Sequence, residues 1–463
     1  MGIKLDSRLV ERGDIFVGIK CANTIVNVEE AITRGASVVF AEGEDCEIFS
    51  RHNVVAVSDA RMTASILAKL KYSAQPECCV AVTGTQGKSS VVHFLRQIWI
   101  ANGLPAASLG TVGLYVNNLP YVPHDMKIPN LTTPDPVTIH KVMNHLAGCG
   151  ISRVAFEASS HGIDQKRLHS VTLTAAAFTN FSSDHLDYHK DRDAYLSAKL
   201  KLFQEVLPCD GVIAAPYDDP ELCNRLIDIG KKVTTFGFSG GGDVTAENIS
   251  ISLKRTMFDV VCNGEKFDNV TTNLFGKLQI ANLLCAATLA HASGIDMSNI
   301  VNAISGITAL SGRMEHVTAF NGGDVYIDYA HTTESFKCAL TDFKNICAGR
   351  LVCVFGCGGD RDKTKRRQMG AIASEIADIT IVTDDNPRSE DPAAIRAAIV
   401  SAAKGAIEIG DRAEAISYAV SLIKKGDIVV IIGKGHESYQ IYGSNAIKFN
   451  DRDEALKACN LSS

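Results

Sequence analysis

Seven short apolar runs in this 463-residue chain stop abruptly in charged, glycine or histidine residues. "VAVTG" runs into TQGKSS, "VAFE" into ASSHG, and "AAFTN" into FSSDHLDYH. Further on, "VYID" runs into YAH, "VCVFG" into CGGDRDK, "TIVTD" into DNPR and "VVIIG" into KGHE. Segments of helix length lie between them, such as "SSVVHFLRQIWIANG". Strands apolar on both faces belong in the middle of a sheet, and parallel strands need long crossovers to reconnect them. The alternation therefore predicts an α/β chain with mainly parallel sheets covered by helices. Functional loops of such folds lie beyond the carboxyl ends of the strands. One polar ending would carry little; seven predict a composite site built from two α/β domains.

The length predicts more than one core. Residues 1–77 hold the strand-like pieces "DIFVGI", "SVVFAE" and "VVAV", and "SAQPECC" breaks the pattern. A second α/β segment is expected over 78–311 and a third over 312–463. A net charge of −6 argues against a broad nucleic-acid surface. No signal peptide, bilayer-length apolar run or lipidation pattern is seen, and no membrane insertion is expected. The 14 cysteines show neither CxxC pairing nor zinc spacing, so a cytoplasmic protein with reduced thiols is expected, Cys353 and Cys357 among them as packing groups.

"AVTGTQGKSS" is the most specific stretch. The Walker pattern needs a glycine five residues before Gly87, where this chain has Val82; Gly84 makes the loop two residues shorter. Gly84 and Gly87 still allow a tight turn against an anion. The helix that follows offers free N–H groups, Lys88 a full positive charge and Ser89 a hydroxyl suited to Mg²⁺. The residues alone fit either a nucleotide loop or a helix cap without a ligand. Glu157, Asp184, His185, Asp187 and His189 likewise fit either a Mg²⁺ site or a hydrogen-bonded polar loop. Lys199, in "YLSAKLKLF", reads from composition as a solvated lysine beside an apolar face. "CGGDRDKTKRR" carries five cations in eleven residues. Arg361 or Arg388 could grip a carboxylate and Glu437 an ammonium, or all three could sit in salt-bridged surface loops.

Taken in this order, "LDSR", "TGTQGKSS", "TTPDP", "EASSHGIDQKRL", "FTNFSSDHLDYH", "SAKLKLF", "GRMEHV", "DYAH", "TDDNPR" and "GKGHESYQ" resemble the Mur ligase family along nearly the whole chain. The short glycine loop matches that family's own form. The resemblance implies three domains: a UDP-substrate domain, a central P-loop-type ATPase domain and a C-terminal Rossmann-like amino-acid domain. It implies an ADP-forming, ATP-dependent acid–amino-acid ligase that works through an acyl phosphate. ATP and a UDP-muramoyl dipeptide are the implied small-molecule substrates, Mg²⁺ the implied metal and a monomer the expected state.

By the same resemblance, Gly84, Thr85, Gln86, Gly87, Lys88, Ser89 and Ser90 hold the ATP phosphates, and Asn282, Arg313 and Asp328 contact the rest of the nucleotide. Ser89, Glu157, His185 and a carboxylated Lys199 are the implied Mg²⁺ ligands. Leu5, Ser7, Thr132, Thr133, Ser159, Gln165 and Arg167 match positions for the UDP-muramoyl substrate. "DNPR" matches the members that add meso-diaminopimelate, with Arg361, Asp385, Asn386, Pro387, Arg388, Gly433 and Glu437 around it. A lysine-adding ligase of the family and a non-catalytic, nucleotide-binding paralogue are the alternatives. Gln86, Leu131, Gln279, Ser311 and Thr333 depart from the family's usual residues.

Overall fold

The computed structural model describes residues 1–21, 23–42, 53–124, 126–182, 188–238, 240–252 and 255–461. Asp184, His185 and Asp187 lie outside the described residues. The chain divides into two units, Met1–Val244 with Cys285–Ile300, and Thr245–Leu284 with Val301–Ser463.

The first unit opens with four parallel strands in chain order: Ile3–Lys4, Ile15–Gly18, Val38–Ala41 and Val54–Ala56. The last three are the pieces read as strands in the sequence. Its larger sheet places Cys78–Thr83 between Ala175–Phe178 on one side and Arg153–Glu157 on the other, all parallel. Val212–Pro216 and Lys232–Gly237 extend one flank, and Ala106–Gly110 the other. Every residue of Cys78–Thr83 is buried, as an apolar strand with neighbours on both edges requires. The helix Lys88–Ala101 covers it, and its Trp99, wholly buried, donates from Nε1 to Ser293 Oγ at 2.9 Å.

Register sets the functional edge. Phe178 pairs with Thr83, and Glu157 with Val82, so three of the polar endings leave the sheet side by side. The order of connections reverses at Cys78–Thr83, which is where open α/β sheets bind ligands.

The second unit is built on a six-stranded sheet in the order Glu315–Phe320, Gly323–Asp328, Ile428–Ile432, Leu351–Phe355, Ile379–Val382 and Ile407–Glu408. Only the first pair is antiparallel. Asp328 and Phe355 both pair with Ile432, and Phe355 with Val382, so the other four polar endings also leave at one level. Cys353 and Cys357 are buried there, as expected of packing thiols, and burial pushes the Cys357 thiol up to about 12. Among the described residues no helix is long and apolar enough to cross a membrane.

One ion pair lies inside this second core. Arg412 and Asp451 have no exposed side-chain surface, and Asp451 accepts from Nε at 2.7 Å and Nη2 at 2.9 Å. The same guanidinium donates to the carbonyls of Asp384 at 3.3 Å and Ile432 at 3.2 Å, joining the ends of two strands. Removing one partner leaves the other charged and unpaired in the core. Asp451→Asn is therefore expected to cost about 3–5 kcal/mol in urea unfolding of the full-length chain. A loss below about 1 kcal/mol, the range of an exposed pair, would contradict this account.

Candidate active site

The glycine loop is held by the neighbouring strand end. Gly84 has φ 144° and Gly87 φ 84°, both in the region that favours glycine. A Cβ on Gly84 would collide with Thr179 Oγ1. Thr85 N–H donates to the Asn180 carbonyl at 2.9 Å, and Gln86 N–H to Asn180 Oδ1 at 3.0 Å. Asn180 Nδ2 returns a bond to the Gln86 carbonyl at 3.2 Å. These bonds use the backbone of Gln86, so the loop keeps its shape with glutamine at that position. Lys88 Nζ donates to the carbonyls of Gly84 and Thr85, each at 2.9 Å. Ser89 and Ser90 are buried in the first turn of the helix.

Lys199 is not solvated as composition suggested; it is 1% exposed. Its Nζ donates to the Gly84 carbonyl at 2.8 Å and lies 4.5 Å from the centre of the Tyr195 ring. The helix Arg192–Lys201 turns Lys199 inward together with Tyr195, Leu196 and Leu200. Burial brings the lysine to the glycine loop, and no feature of the local sequence announced it.

Glu157, also 1% exposed, accepts at Oε1 from Thr111 N–H at 2.9 Å and at Oε2 from Thr111 Oγ1 at 3.0 Å. The Thr111 and Thr132 hydroxyls lie 3.0 Å apart. Thr133 Oγ1 donates to the Glu157 carbonyl at 2.8 Å and is 3.1 Å from Ser159 Oγ. Arg167, buried enough to lower its pKa, reaches the Thr133 carbonyl at 2.5 Å and Gln165 Oε1 at 2.7 Å. Five of the residues matched to the UDP-muramoyl substrate thus form one network with Glu157. Leu5 packs on the cluster that also receives Val137, just after TTPDP. Ser7 Oγ instead donates to Glu30 at 2.7 Å, and Leu131 is exposed.

The donor set suits a hard cation. Thr83 Oγ1, Ser160 Oγ and Ser182 Oγ, each at or within four residues of the end of one of the three adjoining strands, are buried with no hydrogen-bond partner among the described residues. Neutral oxygens beside a carboxylate are the ligands Mg²⁺ takes. No cluster of three His, Cys, Asp or Glu able to hold a metal occurs among the described residues.

In the second unit, Asp328 is 7% exposed and accepts from Met314 N–H at 2.8 Å and Ala330 N–H at 2.7 Å. Burial raises its carboxyl above the usual range, while Arg313 pulls the other way. Arg313 lies over the Tyr329 ring at 4.4 Å, and its carbonyl accepts from Gln279 Nε2 at 3.0 Å. Asn282 Nδ2 donates to Gln279 Oε1 at 3.3 Å. Glutamine at 279 therefore links Asn282 to Arg313, and the three residues matched to the nucleotide stand together. His436, 5.0 Å from the Tyr329 ring, is held at about 4 by burial and by Arg313, and is neutral at pH 7. Ser311 hydrogen-bonds Glu315, and Thr333 opens a helix where its N–H needs no intrahelical partner.

At the other strand ends, Asn386 Nδ2 donates to Glu437 Oε2 at 2.8 Å. Gly433, at φ 121°, lets Asp385 approach; a Cβ there would lie 3.0 Å from Asp385 Oδ2. Arg388 follows Pro387 at φ 54°, a conformation that costs a residue with a side chain about 1–2 kcal/mol. Backbone bonds to the Ile441 carbonyl at 3.0 Å and from Gly443 N–H at 2.6 Å hold it there. Strain of this kind is kept where the surrounding structure determines it, commonly at functional sites. Its Nη1 donates to the Gly359 carbonyl at 2.8 Å. Arg361 is exposed and bonds only the Asp360 carbonyl, at 2.9 Å, among the described residues.

The five-cation run divides between exposed and buried members. Arg366 is 4% exposed and pairs with Glu390 through two bonds of 2.9 and 3.0 Å, holding that carboxyl at about 2. It braces the loop from below. The sequence reading missed three participants: Thr111, Asn180 and Lys434. Thr111 follows a strand reading "AASLG", too small and mixed to stand out. Asn180 was visible at the end of "AAFTN" but had no assigned part. Lys434 was passed over between two glycines.

A family model described as the Mur ligase middle domain matches residues 82–290, and one described as the Mur ligase, glutamate ligase domain matches 312–435. UDP-N-acetylmuramoyl-L-alanyl-D-glutamate–2,6-diaminopimelate ligase of Brucella melitensis is 43% identical over 99% of this chain and 93% of its own length. The protein of that name from Caulobacter vibrioides is 41% identical over 99% and 95%. A solved structure of a ligase of that name superposes with a TM-score of 0.73 at 31% identity, covering 100% of this chain and 95% of that one. Folylpolyglutamate synthase of Mycobacterium tuberculosis, complexed with ADP, shares the fold: TM-score 0.67, 17% identity, 81% and 91% covered.

If the glycine loop is the nucleotide cradle, Gly84→Ala should weaken ADP binding at least about tenfold, or ~1.4 kcal/mol, in titration calorimetry. Unchanged affinity in a folded variant would remove the loop from the site.

Proposed function

The chain belongs to the Mur ligase family, and we propose that it adds meso-2,6-diaminopimelate to UDP-N-acetylmuramoyl-L-alanyl-D-glutamate at the expense of ATP. The observation that carries the reading is the junction of Asp385–Arg388 with Glu437. It stands in a chain whose relatives of that name match along 99% of its length. The product is a peptidoglycan precursor, and the enzyme is an ADP-forming ligase.

The domain assignment is 1–77 for the UDP part of the substrate, 78–311 for ATP and 312–463 for the amino acid, in a cytoplasmic monomer. A carboxylate is a poor electrophile because oxide is a poor leaving group. Transfer of the γ-phosphoryl group to the D-glutamate side-chain carboxylate turns that oxygen into part of a phosphate. The free amine of diaminopimelate then attacks the acyl carbon, and the tetrahedral intermediate collapses to an amide, inorganic phosphate and a proton.

The N–H groups at Gly84–Ser90 hold the ATP phosphates, and Lys88 offsets the charge that crowds between donor and acceptor oxygens. Lys88 already reaches back over the loop to the Gly84 and Thr85 carbonyls, which puts its ammonium beside the N–H groups that would hold the phosphates. Asn282, Arg313 and Asp328 hold the rest of the nucleotide. Thr132, Thr133, Ser159, Gln165 and Arg167, with Leu5 and Ser7, orient the UDP-muramoyl dipeptide. Mg²⁺, held by Ser89, Glu157, His185 and a carbamate on Lys199, would neutralise phosphoryl charge when bound. Holding amine and acyl phosphate together away from water makes the attack effectively unimolecular and protects the intermediate.

Arg361, Asp385, Asn386, Pro387, Arg388, Gly433 and Glu437 surround the amino acid. Diaminopimelate carries a carboxylate and an ammonium at its second stereocentre, whereas lysine's tail carries only an ammonium. A lysine would leave Arg388 without its anion, the mismatch that rejects an analogue most strongly.

Phosphate release is the test, measured with the UDP-muramoyl dipeptide, ATP, Mg²⁺ and bicarbonate. Release should require diaminopimelate and yield the tripeptide. Release with lysine alone would keep the ligase and overturn its specificity; none at all would favour the non-catalytic paralogue. Lys88→Ala should abolish release. Arg388→Ala should raise the KM for diaminopimelate at least about tenfold, the worth of one hydrogen bond to a charged group. An unchanged KM would remove Arg388 from the site.

A further inference from the structure

Lys434 stands between Gly433 and Gly435 with no exposed side-chain surface. Its ammonium has three acceptors: Asn386 Oδ1 at 3.1 Å, Glu437 Oε2 at 2.9 Å and the Tyr439 carbonyl at 2.8 Å. An ammonium only donates, so Asn386 must turn its oxygen towards it. The N–H of Ile441 donates to the same oxygen at 3.0 Å. Two donors therefore fix the amide, and its nitrogen faces Glu437 Oε2 at 2.8 Å. Glu437 Oε2 takes both bonds, while Oε1 accepts none among the described residues. The Glu437 side chain stays 31% exposed.

We propose that Lys434 is a specificity-determining positioning residue, which fixes Asn386 as a donor and Glu437 Oε1 as the acceptor facing the incoming amino acid. The inference rests on the proposed function and concerns how that site discriminates. With Lys434 in place, Glu437 is part of a neutral pair and does not draw a cation by net charge alone. A ligand must then bring a carboxylate for the amide nitrogen and Arg388, as well as an ammonium for Oε1. Without Lys434 the amide oxygen keeps one donor, the Ile441 N–H, in place of two, so Asn386 is held less firmly as a donor, and Glu437 becomes an uncompensated anion. An amino acid whose tail is only an ammonium would gain on one that bears both charges.

The test compares steady-state phosphate release by the wild-type chain, Lys434→Met and Lys434→Gln, with melting temperatures recorded for each. Glutamine retains N–H donors at the position without the charge, so it serves if methionine prevents folding. For either variant the KM for diaminopimelate should rise at least tenfold, with the KM for ATP and for the UDP-muramoyl dipeptide within twofold. The ratio of kcat/KM for diaminopimelate over lysine should fall at least tenfold. An unchanged diaminopimelate KM, or a parallel rise in all three KM values at a constant ratio, would overturn the proposal. A wild-type chain with no diaminopimelate-dependent release would overturn the proposed function with it, so the two failures are distinguishable.

Discussion

Parallel strands that end level with one another are the constraint on which the candidate chemistry depends. Hydrogen-bonded register fixes where each strand stops, and burial on both faces prevents it from slipping. Glu157 pairs one residue before the strand end at Thr83, and Phe178 opposite it, so the glycine loop, Glu157 and Asn180 meet without any of them being near in sequence. The second unit repeats the arrangement about Ile432. Loops supply the chemistry, but the sheets determine which loops can cooperate.

Buried charge is the second theme. Arg412 with Asp451, Arg366 with Glu390, and Lys434 with Glu437 are each cations drawn into the protein and paired there. The first joins strand ends, the second braces the loop that carries Arg361, and the third sets a side-chain amide. Breaking such pairs is costly because the remaining ion stays desolvated. That cost makes them effective at holding geometry.

What the sequence disclosed follows from this division. Strands were legible because apolar runs ending in polar residues have few other uses, and the glycine loop because Gly84 and Gly87 need backbone angles that other residues avoid. Lys199 was misread from composition because a lysine next to an apolar face normally keeps its ammonium in water; the helix Arg192–Lys201 turns it inward on the same side as Tyr195, to the Gly84 carbonyl. Among the clustered cations, nothing local separates Arg366, paired beneath the loop, from Arg361, exposed on it. Thr111 meets Glu157 46 residues away and Lys434 meets Asn386 48 residues away, separations beyond the reach of periodicity or spacing.

The central claim is that carboxylate activation proceeds through an acyl phosphate. It predicts the fate of one oxygen atom. With ¹⁸O in the D-glutamate side-chain carboxylate of the UDP-muramoyl dipeptide, mass spectrometry of the released phosphate should find one labelled oxygen per turnover. Phosphate without label, formed alongside amide product, would contradict the account.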